Sequence, residues 1–166
     1  MRNLLYRQLV AFLREMKNPD DSPVFKYIDL WTENTDFGSG TPGFKMPGIF
    51  IEFAPADRKT FYRSPEAGKD NIRFHLVTPW YSPNEATETT TFEQSIDWLG
   101  LTEQLCNHLS SFTSEDAGSF SRIHSSCSRK NIRVVEAIEE YTLKTQVFSI
   151  PAYVFDDTND IYGATE

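Results

Sequence analysis

Two short runs limit the fold of this chain more than any other feature: PGIFIEFAP, residues 47–55, and NIRFHLVTPW, residues 71–80. Each places large apolar side chains at a period of two, the spacing of a strand laid on a core. In the first run Ile49, Ile51 and Phe53 share one face, while Phe50 and Glu52 share the other. In the second run Ile72, Phe74 and Leu76 face one way and Arg73, His75 and Val77 the other. The two strands are expected to pair as a hairpin across the long connection 54–71. That pairing sets Glu52 beside Arg73 or His75 as cross-strand neighbours.

The flanking segments supply the other elements. Over residues 3–17, Leu5, Leu9, Phe12 and Met16 recur at helical spacing, and NPDDSP (18–23) stops the helix with two prolines. Residues 24–32, VFKYIDLWT, read as a strand with large apolar groups on both faces. The Gly and Pro content of 34–47 marks a loop. A polar linker, 81–91, leads to a second helix over 92–112, with Trp98, Leu101, Leu105, Leu109 and Phe112 in a stripe. Residues 119–128 read as a strand. Residues 132–148 fit either a strand or a helical period. Their β-branched content favours a long strand, bulged near Ala137–Glu139 where the alternation slips. The expected order is α-β-β-β-α-β-β, an α+β domain with a mostly antiparallel sheet and two helices packed on one face. Residues 1–148 form that single domain, and 149–166 form an acidic C-terminal extension.

Composition narrows the function. A chain of 166 residues with 39% hydrophobic side chains and 13 Phe is too apolar for disorder and suits one domain. The net charge of −8 argues against a gripped nucleic acid. The N-terminus reads as amphipathic rather than as a signal peptide, because Arg7 and Arg14 interrupt any apolar stretch. No run approaches the roughly 20 apolar residues that cross a bilayer. The expectation is an intracellular chain with its two cysteines, Cys106 and Cys127, as free thiols.

The candidate chemistry is sparse. Glu52, Arg73 and His75 could serve as an acid–base group with electrostatic partners. Alternation turns them away from the Ile/Phe face, so the simpler reading is an exposed charge cluster on the outer face of the sheet. His124 and Cys127 lie three apart on a strand and point to opposite faces, which opposes a Cys–His dyad. GSGTPG (38–43) lacks the Lys-Ser/Thr of a phosphate loop. No metal or cofactor site is expected. The connection 56–70 gathers Arg58, Lys59, Phe61, Tyr62 and Arg63, a local basic and aromatic excess that reads either as a projection gripping a partner protein or as a solvated loop.

Taken together, PGIFIEFAP, NIRFHLVTPW, LGLTEQLCNHLSSF and FSRIHSSCSRKNIRVVEAIEEYTL, in that order, resemble the tail-terminator or tail-completion proteins of long-tailed bacteriophages and prophages. The resemblance spans roughly residues 1–148. It implies a non-enzymatic, cofactor-free protein that forms a ring, commonly of six copies. Such a ring caps the tail tube and joins it to the head or neck. The implied location is the host cytoplasm and then the virion tail. The implied partners are other copies of the chain, the tube protein and head–neck proteins, with no membrane and no tight nucleic-acid binding. The connections 34–47 and 54–71 would lie at assembly contacts. Phe50, Glu52, Arg73 and His75 would make intersubunit or cross-strand contacts, with a neighbouring subunit covering the Phe50/Glu52 face. The alternative is a ligand-binding or enzymatic α+β domain that uses Glu52, Arg73 and His75 as a polar pocket.

Overall fold

The computed structural model describes residues 2–33, 42–54, 69–80, 88–113, 117–131 and 133–145. The basic segment with Arg58, Lys59, Phe61, Tyr62 and Arg63, and the acidic extension 149–166, lie outside the described residues.

Helix α1 runs Arg2–Arg14 and buries Leu5, Leu9 and Leu13 in one stripe. It ends short of Lys17 because the next residues already belong to a turn. Asn18 donates its backbone N–H to Ser22 O (2.8 Å), Asp20 accepts from the Ser22 backbone and hydroxyl, and Lys17 bridges Pro23 in antiparallel fashion. Strand β1 is only Tyr27–Leu30. Val24 and Phe25, expected in the strand, are buried in the core as part of the turn that precedes it. Strands β2 (Gly48–Phe53) and β3 (Lys69–Pro79) form the expected antiparallel pair, with Glu52 opposite Arg73 and Phe50 opposite His75. Helix α2 spans Glu88–Ser110, and strands β4 (Ala117–Asn131) and β5 (Val134–Thr145) complete the order. Residues 134–145 are strand, as their β-branched content favours.

The five strands lie in the order β1-β2-β3-β5-β4. Only β1 and β2 are parallel, so the fold is α+β with a mostly antiparallel sheet. Both helices cover one face. There Leu5, Leu9 and Leu13 from α1 and Leu105 and Leu109 from α2 meet Ile49, Ile51, Ile72, Phe74, Leu76 and Leu143. The helix ends are tied together where His108 stacks on Phe12 (4.0 Å) and its Nε2 donates to the Phe12 carbonyl at 2.8 Å.

The bulge is not where the alternation suggests. Pairing between β3 and β5 runs unbroken from Lys69/Lys144 to Pro79/Val134. The register instead slips three times along β4, at Ala117/Phe120, Arg122/His124 and Arg129/Asn131, with the extra residue on β4 each time. The apparent slip at Ala137–Glu139 has another cause. Glu139 takes a core-facing place opposite Phe74, fully buried, where it accepts from Ser125 Oγ (2.5 Å) and pairs with Arg122 (3.5 Å). A carboxylate in an apolar slot looks like a broken pattern when the chain is read as letters.

Candidate functional site: a closed charge cluster on the second face of the sheet

The face opposite the helices is built from alternate residues of three strands: Phe50 and Glu52 on β2, Arg73, His75 and Val77 on β3, and Glu136, Ile138 and Glu140 on β5. The register places Glu52 and Glu140 on either side of Arg73. It also places Glu52 and Glu136 diagonally on either side of His75, within reach of long side chains. The imidazole uses both neighbours: Nε2 lies 2.9 Å from Glu52 Oε2, and Nδ1 lies 2.8 Å from Glu136 Oε1. Arg73 reaches Glu52 Oε1 (3.4 Å) and Glu140 Oε2 (3.5 Å), and Lys130 Nζ reaches Glu136 Oε2 from β4 at 2.7 Å.

Both ring nitrogens face carboxylate oxygens, and Glu52, Glu136 and Glu140 interleave with Arg73, His75 and Lys130, the pairing by which buried polar groups are accommodated.

The cluster is not the solvated surface that alternation suggests. His75 is 3% exposed and Glu136 1% exposed. The indole of Trp31, just past β1, lies flat on the imidazole at 3.9 Å and 4°. Phe50, Val77 and Val134 form a small second core beneath Trp31, Phe44 and Met46. The expected cover for the Phe50/Glu52 face was a neighbouring subunit. Here Phe50 is fully buried by the chain's own rings, with Phe44 at 5.0 Å, Tyr27 at 5.7 Å and Trp31 at 6.4 Å. The small residue Gly48 makes this possible, since a Cβ there would stand 2.8 Å from Phe44 Cε2.

Sequence reading brings together Glu52, Arg73 and His75, as the structure does. It misses Glu136, Glu140, Lys130 and Trp31. The one available signal is the repeat of Glu136 and Glu140 at even spacing in a β-branched run, opposite in sign to Arg73 and complementary to His75.

Elsewhere the described residues hold little reactive chemistry. His124 pairs in register with Glu140 and Cys127 with Ala137, so the two point to opposite faces. Burial pushes the Cys127 thiol up, away from the reactive thiolate. Burial, with Cys106 and Glu139 nearby, likewise raises the Tyr141 phenol. A cavity of about 360 Å³ opens beside Glu52 and Trp31, also lined by Asn3, Tyr6 and Leu30. No group of three or more His, Cys, Asp or Glu suited to a metal ion occurs among the described residues, and no helix among them is long and apolar enough to cross a membrane. No protein-family profile matches the chain, and no curated protein matches it.

Proposed function

We propose that the chain is a structural, self-assembling protein of a phage or prophage tail, one that forms a ring capping the tail tube and joining it to the head or neck. The observation that carries this reading is where the charge and the open surface lie. The centre of the charge cluster on the second face, His75 and Glu136, is buried with Trp31 stacked on the imidazole, and the cluster's side chains pair with one another. That suits a framework better than a site of turnover. Exposed surface is concentrated instead on β4, where residues 121–128 are all open, as an assembling protein requires. The α-β-β-β-α-β-β order agrees with the family resemblance. The test is light scattering on the purified chain, alone and mixed with a phage tail-tube protein. A ring that binds tube ends is the expected result, and failure to bind the tube sinks the reading.

The cavity beside Glu52 keeps a second reading in play, a small-ligand site whose polar end is that carboxylate. Glu52→Gln separates the two. A ligand site loses binding or turnover at unchanged stability. A framework carboxylate loses stability instead, by about 1.5–3 kcal/mol for a hydrogen bond to a charged partner.

A further inference from the structure

The two outer strands of the sheet differ in a way that matters for assembly. Among the described residues, strand β4 borders only β5, and β1 borders only β2. Along 117–133 the sequence has Arg122, Arg129, Lys130 and Arg133 and no carboxylate, in a chain of net charge −8. Arg122 and Lys130 lean on the buried Glu139 and Glu136, yet keep 41% and 36% of their side-chain surface open. Adding β5 does not cancel the excess, because 117–145 still holds five basic and three acidic side chains. The other edge is the reverse: 17–33 carries Asp20, Asp21, Asp29 and Glu33 against Lys17 and Lys26. Each edge also exposes apolar surface, Ile123 at 53% on β4 and Leu30 at 40% with Tyr27 at 37% on β1.

We infer that the β4 edge of one copy docks against the β1 edge of a second copy, head to tail. Opposite charge orients the encounter, and the exposed apolar residues give the contact its dry centre. Pairing β4 with β4 across a two-fold axis would set two basic strands against each other, which like charge opposes. Two different surfaces in contact make a heterologous interface, and such interfaces close into rings when the rotation permits. The three bulges on β4 break its ladder, so the contact rests on side chains and short stretches of pairing rather than one continuous strand addition. The inference rests on the ring reading above and specifies its seam.

The test uses one variant per edge, Ile123→Glu on β4 and Leu30→Lys on β1, each checked for native circular dichroism and melting. Ser128→Glu and Glu33→Lys, both at exposed positions, replace either one that does not fold. By light scattering the wild type is expected to be oligomeric and each variant monomeric. An equimolar mixture of the two is expected to stop at dimers, because one sound edge of each kind remains. A monomeric wild type, a variant that keeps the wild-type mass, or a mixture that stays monomeric would each overturn the inference. A wild type that binds the tube while both variants keep its oligomeric state overturns the seam and leaves the ring reading standing. Failure of the wild type to bind the tube overturns the ring reading whatever the variants do.

Discussion

His75 accepts no compromise partner. Its two nitrogens meet two carboxylates, and its flat face meets Trp31, so truncation exposes several groups at once. His75→Ala leaves the buried Glu136 without its imidazole partner, and breaking one member of a buried ionic set costs about 3–5 kcal/mol. Urea unfolding of this variant should show a loss in that range, and a loss under 1 kcal/mol would mean that the cluster contributes little to the fold. Cys127 gives a second test at this scale. Cys127 lies on the exposed stretch of β4, yet partial desolvation raises its thiol, so the folded chain holds less thiolate at a given pH than the unfolded chain does. Alkylation of Cys127 at mildly alkaline pH should therefore be slower in the native protein than in urea. Equal rates would mean that the open position of this thiol outweighs its partial desolvation. Three of the cluster's residues were legible because they sit in two strands whose alternation is plain. Glu136 and Glu140 were not, because 132–148 fits two periods and its register against β3 is set by long-range pairing that no local pattern encodes. Trp31 was hidden for a different reason: the pattern places it inside the strand 24–32, but that strand ends at Leu30 and the Trp31 indole instead stacks on His75 of β3.

Among the elements, β2 is the most tightly specified. Its first residue, Gly48, underlies the Phe44 ring that closes the second core, and Tyr27 stacks on that same ring at 5.0 Å. Gly48→Ala forces Phe44 off its seat and should destabilise the protein by about 1–3 kcal/mol, the usual cost of overpacking. The expected readout is a lower melting temperature together with increased exposure of Trp31 to a soluble quencher. A drop in melting without greater quenching would place the strain elsewhere. The helices illustrate how far pattern reading reaches. The stripes in α1 and α2 predicted their buried faces, and their ends moved by one to four residues where a turn or linker competed for the backbone. Strand β4 marks the limit. Its three bulges let a long strand follow a shorter one, and nothing in a serine-rich stretch announces them.

At the scale of the whole molecule, the sheet carries an apolar helix-covered layer on one side and a mixed layer of rings and ion pairs on the other. Both large faces are thus substantially occupied near the centre of the sheet, and the free surface moves to its edges. A net charge of −8 makes copies of this chain repel on average, so association needs a local reversal of sign. The basic β4 edge supplies that reversal. Such a contact depends on screening in a defined way. Attraction between exposed charges acts over about 8–10 Å near physiological salt and shortens to about 3 Å at 1 M. Steered association therefore slows with added salt, and enhancements of about 10-fold or more are lost as the field is screened. If the β4 and β1 edges dock as inferred above, stopped-flow light scattering should show self-association slowing as sodium chloride rises, while dissociation changes much less, because the exposed Ile123 and Leu30 would be buried in the seam and are insensitive to screening. Association that quickens with salt would show that global repulsion, not complementary edges, governs the encounter.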